Sequence, residues 1–507
     1  MAKSLKKTTL YLFILRLVRM VITVVTVTFS AKYFGVSMEK DMWVLTLTLI
    51  TTIISAVWGP LNEVFRTKFV FVREQEGAEK AVRKTASLVG FIFWVTIVMG
   101  ILLFLFASPI STVMTKNMQA GAAALFVSLL ILQLPSLLFN ELTNIGISIL
   151  NAYDVYYIPE IVGFVGGLVN LAAIIALAPS WGIYSLLVGN YFGIFVLFGV
   201  VAYFLYKKDL KVWINIFSVR WADVKIFLLF ALPFFFPYFV GQFNALFEKY
   251  LAGMLGSGNI SSVEYARQFI SVLQGVQSSV LTTIMVPVLA KQFINKQRND
   301  FNKTILDNLM ICMLIYSAAA FFMVGSATPL CDFFFNRGKV SPEALQMIIT
   351  LTKLYGLAFF GVLMYLIMGM SLLASDKGKF YATAGVATQI VVLALNFMGS
   401  KMIGVYIFPI SLGLVHLFAG ALMFYKNTQM EHRMIFAYLV RALISVAMVI
   451  MTIYTFNAVS DYQIAIVRLL VVGGIFIVLL PLLAIMLGFD IRNIISKITK
   501  KIGTSNE

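Results

Sequence analysis

The chain has 507 residues, 61% of them hydrophobic and 12% charged, with a mean hydropathy of +0.94 and a formal net charge of +17. Soluble domains are about 45–50% apolar and about 25% charged, so this balance excludes a water-soluble fold around one apolar core. Two Cys (Cys312, Cys331) and two His (His416, His432) are too few for a disulfide framework and argue against a metal or acid–base site built on His.

Apolar runs of about 20 residues predict an all-α polytopic membrane protein of about fourteen transmembrane helices. They lie near 9–34, 42–71, 86–107, 121–150, 157–178, 182–206, 225–250, 263–290, 304–325, 346–372, 379–399, 402–425, 434–457 and 463–487. With a cytoplasmic N-terminus, the inner segments hold 26 Lys and Arg and the outer ones 5. The positive-inside rule then sets both termini in the cytoplasm, and the basic charge reads as orientation and contact with anionic lipid, not nucleic acid. The first span is too long for the apolar part of a cleavable signal, carries Arg16 and Arg19, and lacks a small-residue cleavage site. The last twenty residues set Ile491, Ile494, Ile495, Ile498 and Ile502 on one helical face against Arg492, Lys497, Lys500 and Lys501, the pattern of an interfacial helix or a solvated tail.

The organisation expected is an N-terminal lobe (1–206), a basic cytoplasmic linker (207–224), a second six-helix lobe (225–430), an added helix pair (431–487) and a basic amphipathic tail (488–507). Lys32-Tyr33 closes span one and Lys249-Tyr250 closes span seven, a weak internal echo. A six-span repeat keeps its orientation in the membrane, so the lobes would be parallel repeats around a central cavity.

Charges within apolar spans carry functional information, because each costs about 2.5–3.5 kcal/mol at a helix centre on insertion scales. Arg16 and Arg19 share a face of span one, or snorkel to the inner surface. Span two carries Glu63, Arg66 and Lys68 beside a Gly59-Pro60 break, with the two cations also readable as interface anchors. Span four has Asn140, Glu141 and Asn144, of which Glu141 is expected to line a cavity. Span seven holds Pro233, Pro237 and the Glu248-Lys249 pair, which could equally be an outer-surface pair; span eight opens with Glu264 and Arg267. His416 reads as a packed helix residue. Together the basic groups suggest a positive, water-filled cavity suited to an anionic headgroup, phosphate above all. No nucleotide-binding loop, HExxH or GxSxG is present, so ATP-driven pumping and hydrolase chemistry find no support.

The stretch Ala31-Lys32-Tyr33-Phe34-Gly35-Val36-Ser37-Met38-Glu39-Lys40-Asp41 resembles the A-x-x-F-G-x-x-x-x-x-D pattern closing the first helix of bacterial lipid II flippases, the MurJ (MviN) family of the multidrug/oligosaccharidyl-lipid/polysaccharide (MOP) exporter superfamily. Tyr265-Ala266-Arg267-Gln268, Gly275-Val276 and Thr283-Ile284-Met285-Val286-Pro287 are similar to the family's Y-A-x-R, G-V and T-I-x-x-P run. Ile149–Tyr153 with Ile158-Pro159, and Phe335-Asn336-Arg337-Gly338-Lys339, also look like family segments. The chain departs from the pattern too. The family's Arg-Asp pair in helix one falls on Thr26 and Val27, its helix-two Arg on Ile54 and its helix-eight Arg on Gln268; a one-residue shift turns a side chain by about 100°, so Arg267 is no automatic replacement.

The resemblance implies a transporter, not an enzyme: a flippase moving an undecaprenyl-diphosphate-linked saccharide, a peptidoglycan precursor or a surface-polysaccharide unit, across the bacterial cytoplasmic membrane by alternating access. Arg16, Arg19 and Arg267 would hold the diphosphate, and Lys32 and Lys249 the outward path. Asp41, Glu63, Arg66, Glu141, Glu248 and Glu264 would pair and release charges during gating, and Gly59, Pro60, Pro233 and Pro237 would act as bends. No cofactor or metal is expected; coupling to membrane potential or a monovalent cation is compatible with the sequence. Partners would be membrane lipids and cell-envelope biosynthesis proteins, with the monomer as the working unit. A drug or metabolite cation antiporter of the same superfamily, leaning on Glu141, and a non-transporting envelope scaffold are the competing readings.

Overall fold

The computed structural model describes residues 18–19, 21–153, 155, 157–212, 216–280, 285–459 and 465–490. Arg16, Thr283-Ile284 and the amphipathic tail from 491 onward lie outside them. Among the described residues there is no strand, and ten helical stretches are long and apolar enough to cross a membrane.

Helix α1 (Val21–Phe34) ends where Gly35, at φ +64, donates its N–H to the Ala31 carbonyl at 2.9 Å. Ser37 then starts α2 (Met38–Glu76): its hydroxyl accepts the Lys40 N–H at 3.2 Å, and Glu39 and Asp41 stand in the first turn, where acidic groups suit the helix dipole. Helix α2 runs unbroken through Gly59 and Pro60, so the expected break does not end the helix. The basic stretch 72–85 is helical on both sides of Gly77. Its Glu, Lys, Arg and Ala residues are good helix formers, and Gly77 at φ +93 makes the corner between α2 and α3 (Ala78–Leu105).

Then follow α4 (Ala107–Met114), α5 (Ala122–Ala152), α6 (Ile158–Trp181), α7 (Ser185–Lys207), α8 (Trp221–Ala231) and α9 (Phe235–Met254). Pro233 sits in the 3₁₀ turn Leu232–Phe234 that separates α8 from α9, so this bend is realised, whereas Pro237 lies within the first turn of α9. The apolar stretch Ile158–Lys207 is 50 residues long, about 75 Å as a straight helix against a hydrocarbon core of about 30 Å. It folds instead as a hairpin about Gly182–Tyr184: a Cβ on Gly166 would lie 3.3 Å from Gly193 Cα, and Gly189 packs against Asn170, the reversed order of an antiparallel pair.

The remaining helices are α10 (Asn259–Val280), α11 (Val286–Ile294), α12 (Arg298–Ala319), a π turn (Ala320–Gly325), α13 (Ala327–Phe335), α14 (Pro342–Ala374), α15 (Gly378–Ile403), α16 (Ile407–Lys426), α17 (His432–Val459) and α18 (Ala465–Met486). Gly378–Lys426 is a second hairpin, turning at Gly404–Tyr406, with Ser411 donating to the Asn396 amide oxygen across it. Helices α14 and α16 run parallel, because Gly361 meets Gly413 and Gly420 meets Tyr365.

The chain folds as two compact units, one of Met1–Ser261 with Arg337–Ser341, the other of Ser262–Asn336 with Pro342–Glu507. Helices α8 and α9 belong to the first unit through their packing on α2. Repeat symmetry and packing allegiance are separate properties, and the sequence echo that sets a lobe boundary at 207–224 concerns only the former.

Candidate functional site: charged groups within the membrane helices

In the first unit, α2 is the axis on which the polar groups are arranged. It runs parallel to α5: Gln133 donates to Thr46 at 2.9 Å, Asn62 to Glu141 at 3.2 Å and Arg73 to the Ala152 carbonyl at 3.1 Å, in matching order along both helices. It runs antiparallel to α9, with Tyr238 donating to Glu63 at 2.8 Å near one end and Asp41 meeting the segment after α9 near the other.

Three levels of charge result. At the N-terminal end of α2, the buried Asp41 carboxylate accepts the backbone N–H of Gly258 and, at 2.7 Å, that of Ser261. The Lys249 ammonium acts electrostatically on the same carboxylate, and both Lys249 and Glu248 are buried. Lys249, 4% exposed, is therefore a charge partner in a buried joint, not the open headgroup contact expected. Lys40 donates to Ser30 at 2.9 Å, while Lys32 is exposed and lies 5.8 and 5.5 Å from the rings of Phe29 and Tyr33.

Two family-like segments meet here. Gly35 lies under the Lys339 backbone, Gly338 (φ +60) packs on the Lys32 carbonyl, and the Lys339 N–H donates to that carbonyl at 3.3 Å. Both glycines need positive φ and the absence of a Cβ, which is why the F-G and R-G dipeptides are fixed in these places. The motif is a backbone joint.

At mid-height, Glu141 is fully buried, so it does not line a cavity. Glu63 is exposed and held by Tyr238, whose ring lies 2.6 Å from where a Gly59 Cβ would stand. Toward the far end, Arg66 is exposed and Lys68 lies 5.5 Å from the Phe230 ring centre. Arg19 extends from the start of α1 to Glu160 in the first turn of α6, at 3.8 Å, and its guanidinium fits because residue 163 is Gly. Its side chain is 49% exposed.

In the second unit, Gln268 donates to Glu264 at 2.9 Å along one face of α10, and Arg267 lies 5.3 Å from the Tyr355 ring centre on α14. At the positions where the family carries helix-one and helix-two arginines, Thr26 bonds back to the Ile22 carbonyl at 2.8 Å and Ile54 is buried apolar surface. The structure thus joins Asp41 with Lys249 and separates Arg19 and Glu63 into other pairs. Sequence reasoning missed the partners: Glu160, Tyr238, Tyr355 and the 258–261 amides. Only Glu160 had a local signal, a carboxylate directly after the Ile158-Pro159 helix start.

Among the described residues no group of three or more His, Cys, Asp or Glu could hold a metal ion. An open groove of about 350 Å³ between α3 and α5, lined by Thr96, Gly100, Phe104, Leu134, Pro135 and Leu138 among others, carries no charged side chain and offers nothing to a headgroup.

The chain matches the family model described as "Lipid II flippase MurJ" over residues 30–475. It is 23% identical over 388 residues to the lipid II flippase MurJ of Burkholderia cenocepacia, covering 74% of this chain and 75% of that protein. A probable lipid II flippase MurJ of Borreliella burgdorferi is 22% identical over 388 residues, covering 73% of each. Among solved structures, a lipid II flippase MurJ in an inward closed conformation superposes with a TM-score of 0.78 at 17% identity, over 92% of this chain and 97% of that one. An inward-facing multidrug transporter of the MATE family, also of the MOP superfamily, gives 0.66 at 13% identity over 84% and 99%.

Proposed function

Because the chain belongs to the lipid II flippase MurJ family, whose members are multi-pass membrane transporters and not enzymes, we propose that it moves lipid II or a closely related undecaprenyl-diphosphate-linked saccharide from the inner to the outer leaflet of the bacterial cytoplasmic membrane. The family match over 446 residues, reaching into both compact units, carries this reading. The drug-antiporter alternative draws only on a shared fold at 13% identity.

The diphosphate is the group for exposed guanidinium to hold, since Arg presents paired N–H donors to phosphate oxygens. Arg19 is half exposed and Arg267 is seated on an aromatic face; we assign both to the headgroup, together with Arg16. Lys32 extends the positive path, and Asp41 with Lys249 serves the joint. The inside-negative potential favours outward movement of the anion, by about 2.3 kcal/mol per charge per 100 mV. Both termini are then cytoplasmic and the monomer suffices.

Complementation tests the reading. The chain is expressed in a bacterium whose own lipid II flippase is shut off, with membrane insertion checked by blotting. Growth rescue is the expected result; lysis despite insertion would move the cargo to a surface-polysaccharide intermediate.

A further inference from the structure

Glu141 has no place in headgroup recognition, yet it is the most completely enclosed carboxyl of the membrane helices alongside Asp41. Asp41 has backbone donors and a lysine. Glu141 has neither. Its Oε2 accepts the Asn62 amide at 3.2 Å, and Asn144, one turn along α5, is exposed. Its Oε1 is buried without a hydrogen-bond partner among the described residues.

The helices packed on α5 bring no counter-charge. From α2 come Asn62 itself, Glu63, which is exposed and held by Tyr238, and Arg66, which is exposed. The charged residues of α3 nearest its start are Glu79, Lys80, Arg83 and Lys84, far along the chain from the Trp58–Thr96 contact that marks the level of Asn62. Helix α4 has no titratable side chain; α7 brings Tyr191, whose hydroxyl is committed to the Leu132 carbonyl, and at its far end Tyr203, Tyr206 and Lys207, all exposed. Among the described residues no Lys, Arg or His forms an ion pair with Glu141.

From this geometry we propose that Glu141 is a reversible proton-binding site and that proton movement through it is coupled to transport. With one amide donor, one buried oxygen without a partner and no ion-paired cation among the described residues, the carboxyl can hold a proton and give it up. The exposed Asn144 gives the carboxyl an outlet to the surface of the unit. A metal cation fits poorly, because Asn62 presents a donor to the carboxylate where a cation needs converging oxygens. Asn62 reads the change: it lies one residue before Glu63, which Tyr238 holds on α9, and three residues after Gly59, on which the same Tyr238 packs. Taking up a proton makes the carboxylate neutral and weakens its hold on Asn62; release restores both. Entry of a proton and export of an anionic headgroup displace charge in the same sense, so one inside-negative potential drives both. The proposal rests on the chain being a transporter and not on the identity of its cargo.

The test is infrared difference spectroscopy of the full-length protein in liposomes, taken between acidic and alkaline buffers without any saccharide lipid. A protonated-carboxyl band that changes with pH, shifts in D2O and disappears in Glu141→Gln is the expected result, and Asn62→Leu moves that band without removing it. If Glu141→Gln keeps every carboxyl band of the wild type, or if the Glu141 band follows sodium at fixed pH, the proposal is overturned. Should Glu141→Gln not fold, Glu141→Asp must displace the band. A protein that shows the band but does not flip lipid II keeps the proton site and loses the cargo assignment, and the reverse outcome removes the proton site alone.

Discussion

Asp41 accepts the backbone N–H of Ser261 at 2.7 Å, across 220 positions of sequence, and the Gly258 N–H beside it. A carboxylate enclosed in apolar helices is tolerated there because backbone donors and Lys249 compensate it. Asp41→Ala leaves two buried N–H groups without an acceptor and should cost about 1–3 kcal/mol. Asp41→Asn keeps one acceptor oxygen and should cost less. Thermal unfolding of the purified protein in detergent orders the three proteins, and an unchanged midpoint for Asp41→Ala would remove the joint from the account.

Gly59 has a packing reason. Its missing Cβ leaves room for the Tyr238 ring, 2.6 Å from where that carbon would stand. Gly59→Ala should therefore destabilise the protein by about 1–3 kcal/mol through overpacking, and the penalty should vanish when Tyr238→Ala opens the space. A double-mutant cycle in the same unfolding assay reads the coupling, and additive effects would refute it.

Arg19 is half exposed and stands 3.8 Å from Glu160, a long contact open to water on the arginine side, so Glu160→Gln should change stability by no more than about 1 kcal/mol. If the proposed headgroup role of Arg19 holds, transport should fall sharply in Arg19→Ala and persist in Glu160→Gln. Equal losses in the two variants would make the pair a structural unit.

Arg267 lies over the Tyr355 ring, 5.3 Å from its centre, and a lysine does not reproduce the stacking of a planar guanidinium on an aromatic face. Arg267→Ala combined with Arg16→Ala should abolish flipping with normal membrane abundance. Arg267→Lys should recover only part of the activity. Wild-type transport in the double variant would contradict the headgroup assignment.

Fold class was legible because hydropathy is a property of each segment alone, whereas the segments around Gly35 and Gly338 were legible only as a family resemblance, and their meeting, like that of Asp41 with the 258–261 amides, was not. The hairpins at Gly182 and Gly404 were also legible, as successive apolar runs (157–178 with 182–206, 379–399 with 402–425) separated by only a few residues. What the sequence withheld was pairing. Nothing near Glu63 points to Tyr238, 175 positions away, nor anything near Arg267 to Tyr355. The burial of Lys249 was hidden for the same reason: an ammonium at a helix end reads as exposed until a carboxylate from another helix is brought to it. Likewise Glu141 reads as cavity-lining because a lone carboxyl in a span calls for water, and only packing shows that it is enclosed with the Asn62 amide as its donor.

The central claim is that this chain flips lipid II, and reconstitution addresses it without a host. The purified protein is placed in liposomes carrying fluorescent lipid II with an inside-negative potential, and the label reaching the opposite leaflet is quenched from outside. The account predicts translocation that grows with protein content and is lost in the Arg16→Ala, Arg267→Ala double variant. Translocation no faster than in protein-free liposomes, from protein shown to be folded and inserted, would contradict it.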